Sequence, residues 1–398
     1  MRAFDLSPDT ARRALGSLAV ADDADEPEAA RSRYATAVWS HLAEPGDSVA
    51  GRIIGARGPA AGLEAVLTGD ALPELTPREL ADGRRRWLPR LSATAVADSL
   101  TAAATRGMTL LTRADADWPW QLDDLGAHAP LCLWVRGEVS ALRRLGASVA
   151  VVGARAASHY GDHVARELSA ELAGSGIAVV SGGAYGIDGA AHRAALLADG
   201  LTVALLAGGA DRAYPVGHTQ LIDDVARRGV VASEVPCGSA PTKWRFLQRN
   251  RLIAAISAAT VVVEAGWRSG SLNTAGHAAT LSRPLGAVPG QITSAASAGT
   301  HRLIREYGAQ CITSADDVRE LLGLGSQADD RTAVPGPYTG DATRVRDAMS
   351  TRSWRDAPDI ARRAGMAPDA VEGILGLLRL DGCVETGTEG WRLRRLSG

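Results

Sequence analysis

Lysine is almost missing from this chain. Of its 43 cationic side chains only Lys243 is a lysine; the rest are arginine. The arginine and alanine bias is the mark of a GC-rich genome and says nothing of function. Cysteine is also scarce. Cys132, Cys237, Cys311 and Cys383 lie far apart with no CxxC pair, which argues against a zinc site or a disulfide scaffold and fits a reducing compartment. Charge of one sign is lacking too. The 43 cations against 45 acids leave a net charge of −2, so any nucleic-acid site must be a local patch. The start, Met1-Arg-Ala-Phe-Asp-Leu6, has no apolar signal core. The longest mostly apolar run, residues 252–263, is broken by Ser257 and Thr260 and falls short of the roughly 18 residues that cross a bilayer. The expectation is a cytoplasmic protein with no membrane partner. Three signatures are missing as well: G-x-G-x-x-G for dinucleotides, the Walker A phosphate loop, and the G-x-S-x-G of serine hydrolases.

The 398 residues carry 46 % hydrophobic and 22 % charged side chains, which is ordinary globular composition. At about 150 residues per domain the length suggests two to three domains. Residues 1–30 hold Asp22, Asp23, Asp25, Glu26 and Glu28 with few large apolar groups, and read as a poorly ordered acidic tail with at most one short helix. Residues 31–105 alternate helical runs with Pro/Gly breakers and read as a small all-α module of the SAM-like kind. From 106 to 322 the character changes. Apolar runs at 147–153, 177–183, 202–209, 229–233, 260–264 and 285–289 alternate with helical stretches. Continuous apolar strands between helices indicate a sheet buried on both faces. The expected fold is therefore α/β, a Rossmann-like, doubly wound, mostly parallel sheet. Residues 323–340, rich in Gly and Pro, read as a linker. Residues 341–398 read as three helices and a hairpin, the layout of a winged helix.

In such sheets ligands sit at the carboxyl ends of strands, where helix N-termini offer N–H groups to anions. Four glycine-containing loops fall there, beginning at Gly153, Ser181, Gly208 and Gly266. Arg155 and Arg268 add charge to them; Ser269, Ser271 and Thr274 add hydroxyls. One such loop is more often a plain tight turn; four at equivalent strand ends favour an anion site. Residues 241–253 are more informative. Lys243, Arg245, Arg249 and Arg251 occur there with Trp244 and Phe246, and no acid lies between Val235 and Val263. Cations that track phosphates and aromatic faces that stack on bases suit single-stranded nucleic acid. The plainer alternative is an amphipathic helix with solvated arginines and a core phenylalanine. Asp188 and His192, four apart on one helix, lack an apparent third metal ligand. A capping Asp and a packed His are the better reading.

These pieces together carry a resemblance. Val-Val-Gly-Ala-Arg155, Ser181-Gly-Gly-Ala-x-Gly-Ile-Asp188, Ala191-His192, Tyr214-Pro215, Ser233-Glu234, Phe246-x-x-Arg249-Asn-Arg-Leu-Ile253, Val263-Glu264-Ala265, Ser269-Gly-Ser-Leu-x-Thr-Ala275 and Val288-Pro289-Gly290 occur in order over about 110–315. The series resembles the DNA-processing protein A (DprA/Smf) family. The resemblance implies a cytosolic homodimer that binds single-stranded DNA. It implies no catalysis and no cofactor: such a protein protects incoming DNA during natural transformation and loads the RecA recombinase onto it. The candidate DNA contacts are then Arg155, Gly182, Gly183, Lys243, Phe246, Arg249, Arg251, Arg268, Ser269, Gly270 and Ser271. Three positions depart from the family's usual pattern: Gly183 replaces leucine, Asn273 an apolar residue and His301 asparagine.

Two other functions remain in view. Nucleotide phosphoribohydrolases share a similar fold and need a carboxylate beside the phosphate loop. Residues 270–277 hold no acid, and Glu264, at the end of the preceding strand, is the remaining candidate. A transcription factor would use the winged helix, but residues 368–380 hold Asp369, Glu372 and only Arg379 as a cation. That is poor chemistry for a phosphate-rich groove.

Overall fold

The computed structural model describes residues 4–18, 26–325 and 340–394. Two compact units divide the chain near Ser326. The first opens with helices α1 (Pro8–Leu15), α2 (Pro27–Leu42), α3 (Ser48–Arg57), α4 (Pro59–Thr68), α5 (Pro77–Trp87) and α6 (Ala93–Thr105). Their starts follow familiar rules. Ser7, Asp47, Thr76 and Ser92 each accept a first-turn amide, and Pro occupies the first turn of α1, α2, α4 and α5.

The expected acidic tail over 1–30 is corrected here. Ala11, Leu15 and Leu18 repeat at helical spacing among the charges, and all three are buried, as is Leu6. The stretch 4–18 is thus part of the core, and α2 begins at Pro27, ahead of the expected boundary at 31. Asp22, Asp23 and Asp25 lie outside the described residues. Trp39 and Trp87 meet edge to face at 5.3 Å in the same core. That core runs on without a break into Trp134, Leu206 and Ile222 of the α/β region.

The α/β region holds β1 (Thr109–Leu111), β2 (Leu133–Gly137), β3 (Ser148–Val152), α7 (His159–Gly174), β4 (Ala178–Ser181), α8 (Ile187–Leu197), β5 (Thr202–Leu206), α9 (Thr219–Arg228), β6 (Val230–Ser233), α10 (Lys243–Ile256), β7 (Ala259–Val262), α11 (Ser271–Thr280), β8 (Leu285–Ala287), α12 (Ala298–Glu306), β9 (Gln310–Cys311) and α13 (Ala315–Leu321). They form one nine-stranded sheet of order β1-β2-β6-β5-β4-β3-β7-β8-β9. The pairs β1–β2 and β2–β6 are antiparallel and the others parallel. This is the doubly wound, mostly parallel α/β sheet expected from the apolar runs.

Strand alternation covers both faces. Val149 and Val151 of β3 pack with Leu168 and Leu172 of α7 and Ala191 of α8. Ala150 and Val152 pack with Leu252, Ile253 and Ile256 of α10. Strand order reverses between β4-β3 and β3-β7. By the switch-point rule a ligand crevice belongs at the carboxyl end of β3, between its neighbours.

The second unit holds α14 (Asp341–Asp347), α15 (Ala357–Ala364), α16 (Pro368–Leu380) and the antiparallel pair β10 (Val384–Gly387) and β11 (Gly390–Leu393). It has its own core of Val345, Ile360, Val371, Leu375 and Leu378. Most of the expected linker, 326–339, lies outside the described residues. No helix among the described residues is long and apolar enough to cross a membrane.

Candidate nucleic-acid interface

A cleft of about 770 Å³ opens where the switch-point rule puts it. It is lined by Gly153 to Arg155 after β3, Ala184 after β4, Gly266 and Arg268 to Ser271 after β7, Tyr214, and residues of the first three turns of α10. Two local features shape its entrance. Thr242 caps α10 by accepting the Arg245 amide at 3.2 Å. Gly186, at φ +74°, lets the loop after β4 touch the loop after β3: a Cβ there would sit 2.2 Å from the Ala154 carbonyl oxygen. The two loops therefore hold each other, and Arg155 projects from the clasp.

Three cations face the cleft without a carboxylate partner among the described residues: Arg155, Lys243 and Arg268. Lys243 stands in the first turn of α10, where the helix dipole already makes a cation unfavourable. A positive helix start carrying a lysine is a place for an anion. Phe246, one of only two phenylalanines, forms the apolar wall. The Arg155 guanidinium lies 4.8 Å from its ring centre, and Tyr214 lies at 5.6 Å, tilted by 54°. Tyr214 is 47 % exposed and lines the cleft although it is not among the expected residues; the Tyr214-Pro215 pair in the loop after β5 is its signal. Ser269 and Ser271 share a hydrogen bond of 2.7 Å at the start of α11. Gly270 lies between them on the cleft wall.

Other expected contacts have different work. Arg249 lines the cleft but is 94 % buried, 6 % being exposed. It donates to the carbonyls of Gly182 and Leu205, each at 2.6 Å. Burial pulls its guanidinium down to about 10, Arg155 adds to that, and Asp188 opposes it. Gly182 is small because a Cβ there would meet Arg249 Nη1 at 2.1 Å. The amides of Gly182 and Ala184 donate to Asp188 Oδ2 at 3.2 and 3.3 Å. The glycine loop after β4 thus wraps an internal carboxylate. Gly182 and Gly183 are not on the cleft wall, which corrects the expectation of phosphate contacts there. Asp188 is likewise no N-cap: it follows Ile187 inside α8, whose N-cap is Gly186. Burial pushes its carboxyl up, while Arg249 and those amides pull it back.

Arg251 is the other correction. It is 3 % exposed and bonds Glu234 through both terminal nitrogens, at 2.7 and 2.6 Å. Its Nε donates to the His128 carbonyl at 3.0 Å. One helical step rotates it away from the cleft, so it is a structural arginine. Arg245 is similar: Nε and Nη2 each reach Glu44 at 3.0 Å, tying α10 to the loop after α2. Burial raises the Glu44 carboxyl, but Arg245 and Arg90 outweigh it and hold the group below its usual range.

Asn273, unusual for its position, accepts from Asn250 Nδ2 at 3.2 Å and so has a polar partner on α10. His301 Nε2 lies 3.0 Å from the Gly290 carbonyl. His192 is packed, as expected: its Nδ1 lies 2.8 Å from Thr202 Oγ1. Among the described residues no cluster of His, Cys, Asp or Glu could hold a metal ion. Glu264 is 2 % exposed and accepts the Ser158 amide at 2.9 Å, on the wall of a different cavity beside Tyr160 and Pro289.

Comparison with known proteins fits this geometry. The family model of DNA recombination-mediator protein A matches residues 109–323. The chain is 42 % identical over 375 residues to the putative DNA processing protein DprA of Mycobacterium tuberculosis, covering 91 % of this chain and 94 % of the relative. It is 40 % identical over 208 residues to DprA of Streptococcus pneumoniae, covering 51 % and 71 %. The X-ray structure of the pneumococcal protein superposes with a TM-score of 0.54 at 33 % identity, over 62 % of this chain and 82 % of that one. Fold, cleft position and sequence agree: the chain belongs to the DNA recombination-mediator protein A family, that of the DprA and Smf DNA processing proteins.

Proposed function

We propose that the cleft holds the backbone and bases of single-stranded DNA. The observation that carries this reading is the pairing of three carboxylate-free cations, Arg155, Lys243 and Arg268, with the aromatic wall of Phe246 and Tyr214. Phosphates take the cations, and unstacked bases take the aromatic faces. A duplex hides its bases and so loses half of this chemistry. The protein acts as a recombination mediator in the cytoplasm. It protects incoming DNA in natural transformation and loads RecA on it as a homodimer, without a cofactor.

The second unit is proposed to be a winged helix that contacts protein rather than DNA. Asp369, Glu372 and Arg379 leave α16 without the charge for a phosphate-rich groove. Leu377 and Leu380 are 62 % and 85 % exposed on it. A phosphoribohydrolase reading has less support. Asp188, the one acid on the cleft wall, is engaged by backbone amides, and Glu264 faces another cavity.

The test is affinity for mixed-sequence single strands and duplexes at two salt concentrations. Single strands should bind more tightly with little sequence preference. Their affinity should fall by about 0.7 log unit per log unit of salt for each phosphate contact. Equal affinity for both forms, or no salt slope, would defeat the proposal.

A further inference from the structure

Exposed aromatic side chains scattered singly over a surface need no explanation. Trp267 is different, because it is exposed yet held. It is 59 % exposed and directly precedes Arg268, a cleft residue. The loop that carries it is stapled, two residues earlier at Ala265, to the start of α12. The Ala265 amide donates to the Ala296 carbonyl at 2.8 Å, and the Gly299 amide donates back to Ala265 at 2.7 Å. The approach is close enough that a Cβ on Gly299 would meet the Ala265 carbonyl oxygen at 2.7 Å.

The ring itself is also fixed. The Arg302 guanidinium lies over it, 5.2 Å from the centre. Arg302 is oriented in turn by Glu306, at 2.8 Å from its Nε, and by the Tyr307 hydroxyl, at 3.3 Å from Nη2. It also lies 5.4 Å from the Tyr307 ring centre. The indole therefore has a braced cation over it while the residue stays 59 % exposed. Pinning a large apolar ring without covering it gains little burial. It does prepare a flat face for another flat, electron-poor ring, and the rotamer cost of docking is already met.

We propose that Trp267 is a stacking platform for a nucleobase of the single strand just beyond the cleft, with Arg302 as its positioning residue. This rests on the reading of the cleft as a single-strand site. The occupant follows from continuity. Arg268 offers charge to a phosphate inside the cleft, and the adjacent residue offers a ring to a base of the same strand. Base–aromatic stacking is tolerant of sequence, which suits a protein that must accept any DNA.

The test uses the full chain and labelled oligodeoxythymidines of about 5 and about 20 nucleotides, lengths that bracket common single-strand site sizes. Trp267→Ala should bind the long strand about five- to 150-fold more weakly and the short strand unchanged. Trp267→Phe should restore most of the long-strand affinity. Arg302→Ala should cause a smaller loss on the long strand alone. In the wild type, the long strand should quench tryptophan fluorescence more than the short one, and that excess should vanish in Trp267→Phe. If Trp267→Ala binds the long strand like the wild type, the platform is wrong while the cleft stands; the site would then be a protein contact or nothing. An equal loss on both lengths also overturns it, because Trp267 would then be serving the cleft loop. If the wild type holds neither strand, the cleft reading fails and takes the platform with it.

Discussion

Lys243 and Arg251 stand eight residues apart on one helix and do opposite things. Lys243 is exposed at the cleft, with no anionic partner among the described residues. Arg251 is locked in a buried, doubly bonded ion pair with Glu234. A lone ammonium makes a point contact to one phosphate, which a lysine among so many arginines suits. Lys243→Ala and Arg155→Ala should each weaken single-strand binding by about 1–3 kcal/mol, or roughly five- to 150-fold. The double change should be severe, and thermal unfolding should barely move, since exposed cations add little to folding. Arg251→Ala should do the reverse. It leaves a buried carboxylate without its partner, a loss of about 3–5 kcal/mol in folding stability. Titration and melting of the same preparations separate the two roles. A double mutant Lys243→Ala, Arg155→Ala that folds and binds normally would show that the cleft is not the site.

At the scale of elements, the sequence made the strands and the helix 243–256 legible, because apolar runs and a cationic segment free of acids are local signals. It did not show which way each arginine turns. Arg249 and Arg251 sit two apart on that helix, and only tertiary partners, the Gly182 and Leu205 carbonyls for one and Glu234 for the other, decide their roles. The glycine loop after β4 misled for a related reason: its amides suit a phosphate, but Asp188, a few residues on, already occupies them. The α8–β5 contact carries a testable pH effect. Thr202 Oγ1 donates to the Val179 carbonyl at 2.8 Å, so His192 Nδ1 must be the donor between them. Its Nε2 is then a bare acceptor with no partner. Burial drives this imidazole down to about 3 from 6.5, with His218, Arg249 and Arg193 adding to it. Below pH 6.5 the unfolded chain takes up a proton that the folded one refuses, so stability falls with pH across that window. At pH 5 this amounts to about 2 kcal/mol. His192→Asn should therefore lose less stability than the wild type between pH 7 and 5. Equal pH slopes in denaturant melts would refute the assignment.

For the whole molecule, the helices before residue 106 and the sheet share one continuous core, so α10, with its proposed DNA contacts, is braced from two sides: by Glu44 through Arg245, and by Asn273 through Asn250. The cleft wall is built from residues of the first unit, between Val152 and Thr274, and the second unit has its own core. Its apolar segment 374–378 is mostly internal, since Leu375 and Leu378 pack in its own core, and Leu377 alone of those leucines is largely exposed. That division made the three helices and the hairpin readable from sequence, because helix starts such as Asp356 before α15 and a Gly-bounded hairpin are local features. What the unit touches is not a local feature and leaves no such pattern. The consequence is a truncation experiment. A chain ending at Gly325 keeps every cleft residue and the whole sheet. Its single-strand affinity should stay within a few fold of the full chain; if the proposed homodimer forms through the α/β region, light scattering at micromolar concentration should still give twice its monomer mass. A hundredfold loss of affinity would make the second unit a principal DNA binder, and a monomer in the truncated chain alone would move the self-association surface there.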